Sequence, residues 1–404
     1  MRKSEPCRKE RRAALFFART DRGDSTPDDR FLFAGAYGIM QEKEDDDMTR
    51  IGIMTFLHND NYGSTLQAWA LQQTIRSLGY EVEHIDYQPS SQEKLQNLLT
   101  SGNSPALILD GLRKRAVKAG QEGAREKSAS FRRFYQAQMK LSPVCRDRKA
   151  LRANAERYDT LVCGSDQIWS PVWLNPAYFL DFAGEKRRVA YAPSLGVARM
   201  TSKAKGRRIG RLLRSFSAVS VREEEGAALL CGMMGSQPTV LPDPVCLITR
   251  EQWLALAKKP DVQQPYMLCY YIGRNPDYWR QTAAIAQERK LPVIVLPVTD
   301  ESFQQSYRLA DGASPEEWLG WIAGAELVCT DSFHGTVFST LMGVEVQMMR
   351  RYREDDPESK NSRIDQLKRM LDVTGDRIMP DKQIDERLAQ ARGRGIEWLR
   401  QALK

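Results

Sequence analysis

No stretch of this chain reaches the roughly 18–20 consecutive apolar residues that a membrane helix needs, so a spanning protein is not expected. Histidine is scarce, with three in 404 residues. His58, His84 and His334 have no metal-ligand spacing and no H-x-x-x-H occurs, so no metal site is expected. The seven cysteines (Cys7, Cys145, Cys163, Cys231, Cys246, Cys269 and Cys329) contain no CxxC pair. An odd, scattered set argues against a disulfide framework and for a reducing compartment, the cytoplasm. The phosphate-loop pattern G-x-x-x-x-G-K-[ST], the dinucleotide fingerprint G-x-G-x-x-G and the nucleophile elbow G-x-S-x-G are all missing. These absences set aside the commonest nucleotide-binding and hydrolase readings.

What is present points to a soluble globular chain with 42% hydrophobic and 28% charged residues, long enough for two ordinary domains. The first 47 residues stand apart. Their apolar stretch "AALFFA" is shorter than the roughly 7–15 residues of a signal-peptide core, and an acidic "EKEDDD" follows. Residues 1–47 read as a disordered tail, with Met48 a candidate start. Net charge is +8, concentrated in "LRKRAVKAGQEGAREKSASFRRF" and "SKAKGRRIGRLLRSF". Such runs fit a solvated helix face, an anionic substrate or an anionic lipid surface. Nucleic acid is not expected, because no recognition motif or interleaved aromatic accompanies the charge.

β-rich runs alternate with helical patterns. "IGIMTF" leads into "STLQAWALQQTIRSLGY", where Leu66, Trp69, Ala70, Ile75 and Leu78 can share a helix face. "EVEHIDY", "TLVCG", "RVAYAPS" and "SAVSV" continue the series, with the basic region between Leu112 and Lys140 read as an inserted helical segment. After "VLPDPVCLI" a second series follows: "YMLCYYI", "LPVIVLPV", "AELVCTD" and "VEVQMM". Ser314-Pro315-Glu316-Glu317 makes a helix start, with Ser as cap, Pro first and Glu reaching back. The fold class is therefore α/β, with mostly parallel sheets in two Rossmann-like lobes facing a cleft. The divisions expected are residues 48–238, residues 239–380 and a terminal helix over 381–404.

In open α/β sheets, ligands collect outside the carboxyl ends of strands. Four strand-end stretches qualify. "CTDSFHGT" sets Asp331, Ser332 and His334 before Gly335 and Thr336 at a helix start, whose unpaired N–H groups form an anion site. His334 is there either as a proton donor or as a cap on backbone groups. "SVREEEG" places Arg222 behind a strand, for a carboxylate or phosphate ligand or for an ion pair with Glu223, Glu224 or Glu225. "CGSDQIW" offers Ser165 and Asp166 to sugar hydroxyls or to a turn. "HNDNYGST" supplies Asn61 and Gly63 at a helix start; His58 nearby reads as structural.

Taken in chain order, "NYGSTLQAWAL" (61–71), "YDTLVCGSDQIWSP" (158–171), "VAYAPSLG" (189–196), "SVREEEG" (220–226), "LPDPV" (241–245) and "TDSFHGTVFSTLMGV" (330–344) resemble the polysaccharide pyruvyl transferase family. The resemblance implies a GT-B-like fold and transfer of the enolpyruvyl unit of phosphoenolpyruvate onto a saccharide as a ketal, with release of phosphate. It implies no cofactor and no metal. It casts His334 as general acid and Arg222 as a donor ligand. Many members carry an arginine two residues before the histidine, where this chain has Ser332; Arg350, Arg351 and Arg363 (in "NSRIDQL") are candidates to replace it. A lipid-linked acceptor would bring the chain to the inner face of the membrane through peripheral contact. Two alternatives stand beside this reading: a GT-B glycosyltransferase using a nucleotide sugar, and a non-catalytic sugar- or anion-binding protein.

Overall fold

A computed structural model describes residues 48–101, 124–351 and 362–404. The expected tail (1–47) and the start of the inserted basic segment, with "LRKRAVKAG", lie outside the described residues.

The first sheet is built from β1 (Arg50–Met54), β2 (Glu81–His84), β3 (Thr160–Cys163), β4 (Arg187–Ala190), β5 (Ala218–Val221) and β6 (Thr239–Val240), in the order β2-β1-β3-β4-β5-β6. All its pairings are parallel. Its central strands are buried on both faces, which is why "IGIM" and "TLVC" read as unbroken apolar runs instead of alternating ones. Helices α1 (Tyr62–Ser77), α2 (Ser91–Ser101), α3 (Ala124–Gln138), α4 (Arg148–Ala155), α5 (Lys203–Leu213) and α6 (Glu224–Met234) accompany it.

After α7 (Arg250–Leu256), the second sheet takes β7 (Met267–Tyr270), β8 (Val293–Val295), β9 (Arg308–Leu309), β10 (Leu327–Thr330), β11 (Glu345–Met348) and β12 (Arg377–Ile378), in the order β12-β11-β10-β7-β8-β9. Only the β11–β12 edge pairing is antiparallel. The accompanying helices are α8 (Asp277–Arg289), α9 (Asp300–Phe303), α10 (Pro315–Ala323), α11 (Phe333–Met342), α12 (Ser362–Leu371) and α13 (Lys382–Ala402). At the start of α10, Ser314 and Glu317 form the reciprocal cap that the sequence predicts. The architecture is thus α/β with two lobes of mostly parallel sheet.

Strand order reverses between β1 and β3 in the first sheet and between β7 and β10 in the second. Chain segments leave such switch points in opposite directions and open a crevice at the carboxyl end. The loops there carry the "NYGST", "CGSDQ" and "DSFHGT" stretches.

Helix α1 departs from the one-faced pattern expected of it. Thirteen of its 16 residues are buried, because it lies between the lobes: Leu66 and Trp69 pack with Trp253 and Phe338, while Leu71 and Ile75 pack with Ile51 and Val162. Tyr62 stacks on Trp318 at 5.3 Å and donates to the Ala313 carbonyl at 2.8 Å. The chain then crosses back. Leu399 and Ala402 of α13 join the core beneath the first sheet, and Arg187 donates to the Ala402 carbonyl at 2.9 Å. Among the described residues no helix is long and apolar enough to cross a membrane.

Candidate active site

The segment joining the two sheets, "LPDPV", organises the site. Pro242 and Pro244 flank Asp243, which is buried and caps a short 3-10 turn by accepting from the Val245 N–H at 3.1 Å. Its other oxygen, Oδ2, meets both lobes. Arg222, from the end of β5, donates to it through Nη1. His334, from the first turn of α11, brings Nε2 to 3.5 Å, an ionic contact without a hydrogen bond. Ser165 Oγ stands 3.5 Å from the same oxygen.

This packing sets the electrostatics. Burial alone would push the Asp243 carboxyl up, but the Arg222 guanidinium and the His334 ring outweigh it and hold the group well below the usual carboxylate range. Burial pulls Arg222 down while Asp243 and Glu223 pull it further up, so it stays charged. Glu223 is raised, by burial first, against the pull of Arg222; Ser194 Oγ donates to it. Breaking a buried pair of this kind from one side costs about 3–5 kcal/mol.

The pairing leaves polar atoms over. Nε and Nη2 of Arg222 are buried without hydrogen-bond partners, and so is His334 Nε2. Arg222 Nε reaches no nearer than 3.8 Å to Glu223. The unused edge of a guanidinium is the one that binds a carboxylate or phosphate with two parallel bonds. Phe333 lies beside it, its ring 4.8 Å from the Arg222 guanidinium carbon and 6.0 Å from that of Arg363. Arg363 is partly exposed as a residue, but its Nε is buried and also lacks a hydrogen bond. Burial, and then the charge of Arg222, lower its pKa to about 10.

The other expected site residues fall into place around this centre. Gly63, second residue of α1, supports the His334 ring: a Cβ there would lie 2.1 Å from His334 Nδ1. Asn61 caps α1, accepting from the Ser64 N–H at 3.1 Å. Ser64 Oγ donates to Asp166, whose backbone is left-handed at φ 63°. Ser165 is fully buried, and its hydroxyl donates to the Ala192 carbonyl at 2.6 Å. It stands behind the site as a support.

The start of α11 differs from expectation. Ser332 Oγ accepts from the Gly335 N–H at 3.2 Å, and the Ser332 carbonyl accepts from the Thr336 N–H at 2.9 Å and its hydroxyl at 3.0 Å. The residue standing where many relatives have arginine therefore occupies part of the helix end itself. Asp331 faces away, accepting from the Ile272 and Gly273 N–H groups at 2.7 Å each and from Arg351 Nε at 2.8 Å. Arg351 thus braces a loop, and Arg350 pairs with Asp376 at 3.2 Å. Of the three candidate arginines, Arg363 is the one beside Arg222. The residue that sequence reasoning missed is Asp243; its one signal was the proline-flanked "LPDPV".

The model of the family described as polysaccharide pyruvyl transferase matches residues 61–348, most of the chain and the stretches that carry Gly63, Asp166, Arg222, Asp243 and His334. The chain belongs to that family. It is accordingly a transferase. Among curated proteins no sequence matches. Among solved structures, the chain is similar to S. aureus MnaA in a co-structure with UDP (8% identity, TM-score 0.47), covering 88% of this chain and 97% of that one. It is similar also to the UDP-GlcNAc 2-epimerase of Methanocaldococcus jannaschii (12%, TM-score 0.44, covering 85% and 99%). A third is the glycosyltransferase SnogD of Streptomyces nogalater (14%, TM-score 0.40, covering 87% and 95%).

Proposed function

We propose that this pyruvyl transferase family member moves the enolpyruvyl unit of phosphoenolpyruvate onto a saccharide as a ketal, releasing phosphate, in the assembly of a cell-surface polysaccharide. The observation that carries the reading is the meeting of Arg222 and His334 on one oxygen of Asp243, with the Nε and Nη2 edge of the guanidinium left unused.

Phosphoenolpyruvate brings a carboxylate and a phosphate, which call for guanidinium partners; Arg222 and Arg363 supply them. His334 protonates the methylene carbon, and the resulting oxocarbenium-like centre is attacked by a sugar hydroxyl. Positioned acid catalysis of this kind is worth roughly 10²–10⁴ in rate. Asp243, held ionised, stabilises the imidazolium before it gives up its proton and keeps its ring in place. A second hydroxyl then displaces phosphate and closes the ketal. Asp166, tied to Ser64 one residue beyond Gly63, is the polar group for the acceptor hydroxyls. Neither a metal nor a cofactor enters these steps.

The donor is a cytoplasmic metabolite, and the buried free thiols Cys145, Cys163, Cys246, Cys269 and Cys329 suit a reducing compartment. We place the reaction in the cytoplasm, at the inner face of the membrane when the acceptor is lipid-linked. The test is phosphate release from phosphoenolpyruvate across a panel of free and nucleotide-linked saccharides, with calorimetry for donor binding. Binding of phosphoenolpyruvate with acceptor-dependent phosphate release supports the reading. Binding of UDP- or GDP-sugars with no response to phosphoenolpyruvate would overturn it.

A further inference from the structure

Beside Arg222 lies a cavity of about 180 Å³ that extends beyond the strand-end motifs to α12 and α13. Its charged lining comes from four separate parts of the chain: Arg222 and Glu224 from the junction of β5 and α6, Asp243 from the inter-sheet segment, Arg363 and Arg369 from α12, and Arg394 from α13. Phe333 forms one wall, so the cavity ends one residue short of His334. Four guanidinium groups thus face two carboxylates.

The pairing among them is uneven. Arg222 has Asp243. Arg369 reaches Glu224 at 3.4 Å and Glu225 at 3.1 Å. Arg363 and Arg394 have no carboxylate within ion-pair distance among the described residues. The two lie next to buried guanidinium nitrogens, Nε and Nη2 of Arg222 and Nε of Arg363, that have no hydrogen bond. Leaving buried donors unsatisfied is costly. A ligand that satisfies these donors carries negative charge and several acceptor oxygens in a small volume. A carboxylate offers two acceptor oxygens; a phosphate monoester offers three, with more negative charge.

We propose that this cavity seats the phosphate of the donor, and that Arg369 and Arg394 are phosphate ligands. The inference rests on the pyruvyl-transfer reading and adds an orientation to it. With the phosphate on the free edge of Arg222 and toward α12 and α13, the enol carbons lie toward Asp243 and His334. After transfer, inorganic phosphate is left in the same seat and competes with fresh donor. It also gives α13, which returns from the second lobe to the first, a part in the site.

Calorimetric titration of the full chain with inorganic phosphate, phosphoenolpyruvate, pyruvate and UDP tests this, comparing wild type with Arg394→Glu and with Arg369→Gln/Arg394→Ala. Arg394 is exposed, so its charge reversal spares the fold, and melting curves check the double variant. Losing a charge-assisted contact should weaken phosphate and phosphoenolpyruvate by about ten-fold or more, with pyruvate unchanged. Unchanged phosphoenolpyruvate affinity in both variants overturns the cavity assignment while leaving the donor reading intact. Arginine-dependent binding of inorganic phosphate or UDP without any binding of phosphoenolpyruvate overturns the donor reading instead, and makes the cavity a seat for another phosphate.

Discussion

Gly63 and His334 are in direct contact across the two lobes, and the glycine is what makes the contact possible. A Cβ at position 63 would sit 2.1 Å from His334 Nδ1 and 2.3 Å from its Cγ. One residue at the start of α1 therefore sets where the proposed acid stands. Gly63→Ala should overpack the interface at a cost of about 1–3 kcal/mol, and turnover should fall as the ring is displaced. In the His334→Ala background the ring atoms are gone and only the Cβ of residue 334, 2.8 Å from the added methyl, still crowds it, so part of that cost should vanish. Denaturant melts of the two single variants and the double variant measure the coupling. Strictly additive costs would show that the contact does not constrain the ring.

His334 itself is tested with glutamine, which keeps polarity and approximate reach. A proton donor predicts that His334→Gln folds and binds donor, with kcat lower by about 10²–10⁴ and KM little changed. A purely structural histidine predicts a lower Tm and an activity loss that follows the unfolded fraction. Near wild-type phosphate release from a folded His334→Gln protein would end the catalytic assignment.

Arg222→Lys retains the positive charge opposite Asp243 and loses the two-pronged edge. Donor affinity should fall by about 1.5–3 kcal/mol, the worth of a hydrogen bond to a charged group. Titration with phosphoenolpyruvate measures it, with Tm recorded alongside because the Asp243 pair is buried. Equal affinity in a folded variant removes Arg222 from the donor site.

A pH effect on stability follows from His84, at the end of β2 and away from the chemistry. The residue is fully buried, with Nε2 3.0 Å from the Ala68 carbonyl. Burial holds its imidazole down at about 4, against an ordinary 6.5. The unfolded chain therefore takes up the proton first. Its contribution is complete above about pH 6.5 and is lost as pH falls toward 4, amounting to about 2 kcal/mol by pH 5. Denaturation midpoints between pH 7.5 and 5 should decline, and His84→Gln should flatten that decline. An equal slope in the variant would assign the acid sensitivity to other groups.

Sequence alone determined the two series of strands and helices, because burial on both faces writes apolar runs and caps are made by neighbours three residues apart. Ser314 and Glu317 are legible for that reason. It also marked the strand ends where ligands collect, and with them Arg222 and His334. Tertiary structure decided what those residues do together. Asp243 had no role assigned from the sequence, since its partners come from the end of β5 in one lobe and α11 in the other. Ser165 had the composition of a sugar ligand, yet the packing of the first sheet buries it. Helix α1 showed one apolar face, yet the second lobe covers the others. Arg369 and Arg394 were ordinary cations on amphipathic helices until α12 and α13 closed around one cavity with Arg222. Periodicity and capping are short-range properties of the chain, whereas the convergence of charges from four distant segments exists only once the sheets have formed and the lobes have docked.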